Sequence, residues 1–484
     1  MTKRLQSERA SRRASANAEA SEQADSSAPR SADADALTAP TCPHARQCGA
    51  CQHVEQPYDL QLVHKDARVA DLFSGFRGAE VRPILGMEHP YFYRNKVVSP
   101  FAPGKKLPPA PGGKGAQAGK TTRGERNRAA RDRRAAGRPR HEILCGMYAA
   151  GTHRIVPTEQ CVVENQNAKR VIQAVRSLMP RFGMEPYRED AGSGFLRHAV
   201  VRVGHTSGEV LVTLVTNGRE FPGSRAFCRE LVKRCPFVTS VVQNVNERQT
   251  NVILGEREQT LYGPGFILDE LCGLSFRISS QSFYQVNAVQ TEVLYRTAVE
   301  LAHLTGIEHV VDAYCGTGTI GLVAAKHGAA HVTGVDSVAS AVRDARENAR
   351  HNGVGNARFV AEDAGDFMRR CAAEGEPVDV VLMDPPRAGA SAEFLDALSA
   401  LAPARVVYIS CNPETQVRDL ARLRDSGYAV RIVQPVDMFP HTDHIETVAV
   451  LSRKSATKTF IPVTVSPKDM GLDEAKAQPT YENI

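Results

Sequence analysis

Long apolar runs are what this 484-residue sequence most clearly lacks. Nowhere do 18 or more apolar residues stand together, which excludes a membrane-spanning helix. The N-terminus carries charges where a secretory signal would carry an apolar stretch, so export through such a signal is excluded and a cytoplasmic location is expected. Tryptophan is absent too, and that absence decides nothing. Present instead are 42% hydrophobic residues, enough for at least one sizeable core in a chain long enough for about three domains. Eleven cysteines with no export signal point to thiols, a metal site or catalysis and away from disulfides.

The net charge of +6 is modest, but it is unevenly placed. Residues 105–140 hold twelve Lys or Arg against Glu125 and Asp132, a net +10, so the remaining residues sum to −4. Pro103-Gly104 and Pro111-Gly112-Gly113 punctuate the segment, and large apolar residues are scarce in it. It cannot bury enough surface to offset ordering, and it is expected to be a disordered basic insertion. Lys and Arg in such a segment suit non-specific phosphate contact with nucleic acid; a solvated insertion without a partner is the plainer reading.

Residues 1–40 are Ala- and Ser-rich, balance six basic against six acidic residues, and are expected to form a disordered tail. Between 41 and 290 the pattern is mixed. Val171–Leu178 repeats helically, while Ala199–Val203 and Val210–Thr216 read as β-branched strands, predicting an α+β region. A strand pair is expected to span the basic insertion and resume at Ile143. From 291 to 454, apolar strands at 309–313, 332–335, 357–360, 378–383 and 405–410 alternate with helical segments, and a final strand at 446–452 follows a loop. That alternation predicts an α/β domain with a doubly wound, mostly parallel, Rossmann-like sheet. Residues 455–484 form a polar C-terminal tail.

The first of these strands runs into Cys315-Gly316-Thr317-Gly318-Thr319-Ile320-Gly321, a glycine-rich strand-to-helix turn. Twenty residues after Gly316, Asp336 ends the next strand, where a carboxylate can accept from ribose hydroxyls. A dinucleotide and S-adenosylmethionine both satisfy this arrangement. Glu362-Asp363 follows the third strand, within reach of an adenine amino group. The fourth ends in Asp384-Pro385-Pro386-Arg387, a carboxylate and a rigid turn at the ligand-binding edge, which favours methyl transfer over hydride transfer.

The fifth strand delivers Cys411-Asn412-Pro413 to the same edge, making Cys411 a candidate nucleophile. Glu446, at the start of the last strand, is a candidate general base. His441, Asp443 and His444 lie between them in sequence but lack a compact further ligand, and a packed, hydrogen-bonded loop is expected there. Near the N-terminus, Cys42, Cys48 and Cys51 supply three thiolates, with Cys145 and Cys161 as candidates for a fourth.

These stretches resemble the S-adenosylmethionine-dependent RNA uracil-5-methyltransferases. The resemblance rests on Phe283-Tyr284-Gln285-Val286-Asn287, Asp312–Gly318, Asp384–Arg387, Ser410–Pro413 and His444–Thr447, which stand in the family's order, and on Tyr93-Arg94-Asn95-Lys96 with the cysteines. It implies that Cys411 adds to uracil C6, that C5 takes the methyl group, and that Glu446 removes the C5 proton. It implies cofactor contacts at Gln285, Tyr314, Gly316, Gly318, Thr319, Asp336, Asp363 and Asp384, and base packing at Phe283. An unstacked uridine is then the expected substrate. The family's iron–sulfur branch further implies a 4Fe–4S cluster on Cys42, Cys48, Cys51 and Cys161, with zinc as the alternative, and 23S ribosomal RNA as substrate, with transfer RNA as the alternative. A non-catalytic RNA-binding assembly factor is a third reading, disfavoured because Cys411 and Glu446 are both present. No membrane or protein partner is implied. One departure is the absence, before Cys42, of a small all-β RNA-binding domain found in some relatives.

Overall fold

The structure, a computed structural model, describes residues 40–107 and 141–453. The expected N-terminal tail ahead of Pro40, the basic insertion beyond Leu107 and the C-terminal tail lie outside the described residues.

Eight strands form the larger sheet. Five run in parallel: β12 (His309–Ala313), β13 (His331–Asp336), β14 (Ala357–Ala361), β15 (Val380–Met383) and β16 (Arg405–Ser410). The expected α/β reading holds, with β14-β13-β12-β15-β16 in spatial order. The strands read as near-continuous apolar runs because both faces are covered. Val310 and Leu382 face one core layer with Leu294, Leu322 and Val342. Val311 and Val381 face the other, with Phe367, Phe394 and Leu420. Alternation along each strand thus feeds two layers.

β18 (Glu446–Arg453) is antiparallel to β16 on one side and to β17 (Tyr428–Val436) on the other. β17 falls where the sequence suggested only a loop, because Arg431, Gln434 and Pro435 interrupt its apolar pattern. The N-terminal segment also joins this sheet. β1 (Glu80–Val81) pairs in parallel with β17, and Val69 and Phe73 of α1 (Tyr58–Phe73) enter the second core layer. Residues 58–81 therefore pack across the boundary expected at 291.

A second sheet has the order β3-β2-β6-β7-β8-β9. The strand pair expected across the basic insertion is present: β2 (Lys96–Lys106) and β3 (His141–Cys145) are antiparallel, with Phe101 opposite Cys145. β6 (Leu196–Val203) and β7 (Val210–Thr216) follow, and then β8 (Val238–Val245) and β9 (Arg257–Tyr262). One face of this sheet carries Val97, Ala199, Val201 and Val212 and is covered by α2 (Gln166–Leu178) and α3 (Ser224–Arg234) through Val171, Val175 and Leu231.

Candidate active site

The strand order reverses at β12, which has β13 on one side and β15 on the other. Open α/β sheets bind ligands in the crevice at such a switch point. The glycine loop leaves β12, and Asp384 leaves β15, so the two flank that crevice. Gly316 and Gly318 adopt φ of 54° and 80°, the left-handed region that side chains disfavour. Gly321 brings α5 (Thr319–Lys326) close to β12; a Cβ there would lie 2.7 Å from Asp312 Oδ2, which accepts the Gly321 N–H at 2.9 Å. Tyr314 holds φ of 64° without the freedom of glycine, a strain found at ligand clamps, and its ring lies 5.1 Å from that of Phe394.

Asp336 accepts the N–H of Gly316 at 2.9 Å through one oxygen and that of Val338 at 2.8 Å through the other. A carboxylate offers about four acceptor positions, so capacity remains for ribose hydroxyls. Asp363 caps α7 (Ala364–Glu374), its Oδ1 accepting from Gly365 and Asp366. Thr319 Oγ1 lies 3.2 Å from the Tyr295 hydroxyl. Gln285 is half-buried, and its backbone carbonyl accepts from the Asn95 side chain at 3.1 Å. Phe283, two residues earlier, is 71% exposed.

Cys411, Glu446 and Asp384 share one sheet edge. Ser410 pairs with Thr447, so the next residue out on each strand is Cys411 on one and Glu446 on the other. In the next pair, Met383 lies beside Tyr408, which brings Asp384 to the same end. Cys411 also precedes α9 (Pro413–Asp425), whose N-terminal dipole favours a thiolate. The join is braced: Gln416 Nε2 donates to the Tyr408 carbonyl at 2.8 Å, and Thr447 Oγ1 donates to Gln416 Oε1 at 2.7 Å.

Electrostatics at this edge favour neutral acids. Burial, with Asp384 adding, raises Glu446 well above the carboxylate range. Burial pushes Asp384 up to about 7. Burial first, then Glu446 and Asp384, pushes the Cys411 thiol up to about 11, while Arg387 opposes the rise. Arg387 is therefore an electrostatic neighbour of Cys411 that the sequence reading left without a role. Asp312 is another: burial takes it up to about 8 despite the Gly321 bond. Its signal in sequence is a lone carboxylate near the end of an otherwise apolar strand.

The loop between β17 and β18 is held from the N-terminal side. Asp437 is fully buried and accepts from Lys65 Nζ at 2.7 Å and from the Tyr58 hydroxyl at 2.9 Å. His441 Nε2 lies 2.9 Å from the Pro90 carbonyl, and Gln61 Oε1 accepts the His441 N–H at 3.0 Å. The expected packed, hydrogen-bonded loop is what the structure contains.

Cys42, Cys48, Cys51 and Cys161 line one small cavity; Cys145 lies instead on β3, buried among apolar side chains. Burial first, then the facing Cys161, pushes Cys51 up to about 12, and burial pushes Cys161 up to about 11. Among the described residues, no three of His, Cys, Asp and Glu stand in an arrangement that holds a metal ion.

Residues 270–454 match a family model described as tRNA (Uracil-5-)-methyltransferase. An uncharacterized RNA methyltransferase of Halalkalibacterium halodurans is 40% identical over 427 residues, spanning 88% of this chain and 85% of that protein. Another, from Staphylococcus aureus strain MSSA476, is 39% identical over 419 residues, spanning 86% and 84%. Among solved structures, Pyrococcus abyssi tRNA (uracil-54, C5)-methyltransferase in complex with S-adenosyl-L-homocysteine superposes with a TM-score of 0.64 at 26% identity, covering 84% of this chain and 86% of that one.

Proposed function

The chain belongs to the S-adenosylmethionine-dependent RNA uracil-5-methyltransferases, and from that membership we propose that Cys411 and Glu446 carry the transfer of a methyl group to uridine C5 in 23S ribosomal RNA. The observation that carries the reading is the Ser410–Thr447 pairing, which sets Cys411 and Glu446 side by side at the sheet edge.

S-adenosylmethionine supplies an electrophilic methyl group. On the resemblance, Gly316, Gly318, Asp336, Asp363, Gln285, Tyr314, Thr319 and Asp384 would hold it, and the space open beside Gly316 supports that reading. Uracil C5 is too weak a nucleophile alone. Addition of the Cys411 thiolate to C6 moves an electron pair toward C5 and O4, and C5 then takes the methyl group as its bond to sulfur breaks and S-adenosylhomocysteine is left. Glu446 removes the C5 proton, the C5–C6 double bond re-forms, and the thiolate leaves. Each step asks a side chain to act at an adjacent ring carbon, which the neighbouring placement of Cys411 and Glu446 suits. Both faces of the ring must be reachable, so the uridine leaves its stack, and exposed Phe283 is suited to pack against it.

The substrate reading as 23S ribosomal RNA rests on the iron–sulfur resemblance, supported by four cysteines around one cavity. A 4Fe–4S cluster takes one thiolate per iron, and on the resemblance we favour it over zinc, in a structural role. Iron and sulfide counts per chain after anaerobic purification test this; one zinc and no sulfide would defeat it. Transfer RNA is the competing substrate, because the structurally similar Pyrococcus abyssi protein is a tRNA (uracil-54, C5)-methyltransferase.

The deciding experiment offers the protein 5-fluorouracil-containing ribosomal RNA and S-adenosylmethionine. Fluorine cannot leave as a proton, so a covalent complex at Cys411 accumulates and is mapped by mass spectrometry. Full methylation activity in Cys411→Ser would defeat the mechanism, and an adduct on transfer RNA alone would reverse the substrate assignment.

A further inference from the structure

The face of the second sheet turned away from α2 and α3 sets two cations side by side. Lys96 on β2 lies directly opposite Arg202 on β6, and residues so paired project from the same side of a sheet. Lys96 is half-buried and Arg202 is 5% exposed. Arg202 Nη2 donates to the Ser282 carbonyl at 2.5 Å, and its buried Nε has no partner. Among the described residues, neither cation has an Asp or Glu within ion-pair distance, unlike the other buried cations. Lys65 pairs with Asp437 at 2.7 Å, and Lys169 pairs with Glu164.

Two adjacent buried cations are costly unless an anion joins them, and arginine cannot escape the cost by losing its proton. The position of the pair indicates which anion. The Asn95 N–H donates to the Val286 carbonyl at 2.8 Å, and its side chain donates to Gln285, so the start of β2 is stitched to the Phe283–Asn287 segment. Lys96 and Arg202 thus sit beside exposed Phe283. The same sheet face continues through Val98–Val200 and Pro100–His198 to a cavity of about 920 Å³ lined by Tyr148, His153, Arg197 and His198. There Arg197 lies 3.8 Å from Glu189 and donates to the Asn246 and Arg248 carbonyls, while its buried Nε and His198 Nδ1 lack partners.

We propose that Lys96 and Arg202 form a binding site for a backbone phosphate of the RNA, adjacent to the target uridine, and that the strand continues along this face toward the 920 Å³ cavity. The proposal rests on the RNA methyltransferase reading. Guanidinium and ammonium together match phosphate oxygens, the first by paired N–H donors and the second as a point charge. Desolvation, aided by the Arg202 charge, lowers Lys96 to about 8, the direction expected of a cation awaiting its counterion.

The test measures binding of in vitro-transcribed 23S ribosomal RNA by wild type, Lys96→Met and Lys96→Arg across about 50 to 200 mM salt. Lys96→Met keeps the apolar stem and is expected to weaken binding about five- to tenfold and to reduce the salt slope by about 0.7 to 1, with Lys96→Arg retaining the wild-type slope. Melting temperature and S-adenosylmethionine affinity by calorimetry are measured on the same samples. A folded Lys96→Met protein with unchanged RNA affinity and slope overturns the site. So does a loss of S-adenosylmethionine affinity with the RNA slope intact, which would give the pair to the cofactor's carboxylate instead. Wild-type adduct formation on fluorouracil RNA, run in parallel, reports on the proposed function separately from the slope.

Discussion

Ser410 and Thr447 pair across the antiparallel join of β16 and β18, and the hydroxyl of Thr447 reaches Gln416, whose amide holds the Tyr408 carbonyl. The strand end that presents Cys411 and the strand start that presents Glu446 are therefore one braced unit. If the two side chains act in sequence on one ring, removing the second should trap the work of the first. Glu446→Gln is expected to slow single-turnover methylation by about 10² to 10⁴. It should also accumulate a covalent RNA complex on ordinary uridine, seen as a retarded band on a denaturing gel. Cys411→Ala should give neither product nor band. A Glu446→Gln enzyme that turns over freely would remove Glu446 from the reaction.

The same neighbourhood sets a pH dependence. Glu446 lies well above the carboxylate range and Cys411 at about 11, so both are protonated near neutrality, while Asp384, at about 7, is partly ionised there. The nucleophile must lose its proton and the base must be ionised, and both changes go with rising pH. Single-turnover rate is therefore expected to climb from pH 6 to pH 9, without the fall that a required protonated acid would impose. Because the Glu446 and Asp384 charges raise the Cys411 thiol, Asp384→Asn should speed its alkylation by iodoacetamide at pH 9. Slower alkylation in that variant would contradict the electrostatic account.

How much of this was legible in the sequence depends on what each residue does. The strands at 309–313 and 405–410 announce themselves as buried apolar runs, and the observed strands match those limits. Cys411 and Asp384 are legible because a polar residue directly after such a run stands at the ligand edge. β17 was hidden by Arg431, Gln434 and Pro435, tolerated where the strand borders short β1. The ties from Lys65 to Asp437 and from Asn95 to Gln285 join positions 372 and 190 residues apart, and no local pattern announces such pairs. The Lys96–Arg202 pairing was invisible for the same reason: register across strands from distant parts of the chain is a property of the folded sheet.

Glycine at position 334 is required by packing. It lies within β13, and an added Cβ would sit 2.4 Å from Phe359 Cδ1 and 3.2 Å from the Cβ of Cys315. Phe359 also closes on Gly318 of the cofactor loop, with its Cε1 2.7 Å from where a Cβ would stand. Gly334→Ala must push this ring toward the loop. It is expected to cost about 1–3 kcal/mol by urea unfolding and to weaken S-adenosylmethionine binding in calorimetry. Adding Phe359→Leu, which removes the obstructing edge, should recover part of both losses. A Gly334→Ala protein of wild-type stability would show that the ring has room to move.

The Lys65–Asp437 pair offers a test of how the N-terminal segment supports the catalytic edge. Asp437 follows β17 directly and opens the loop that returns as Glu446, and both its oxygens are engaged, by Lys65 and by Tyr58. Removing one partner of a buried ion pair leaves the other uncompensated, so Lys65→Met is expected to destabilise by about 3–5 kcal/mol. Tyr58→Phe, which removes the hydrogen bond to Asp437 and the one the hydroxyl accepts from the Met87 N–H, should cost about 1.5–3 kcal/mol. The double substitution Lys65→Met with Asp437→Leu removes both charges and should recover much of the single-variant loss, because the expense lies in the stranded carboxylate. If the loop holds Glu446 in place, Lys65→Met should also lower kcat more than it raises KM at a temperature where the protein remains folded. A double variant as unstable as Lys65→Met alone would mean that packing around Lys65, not its charge, secures the loop.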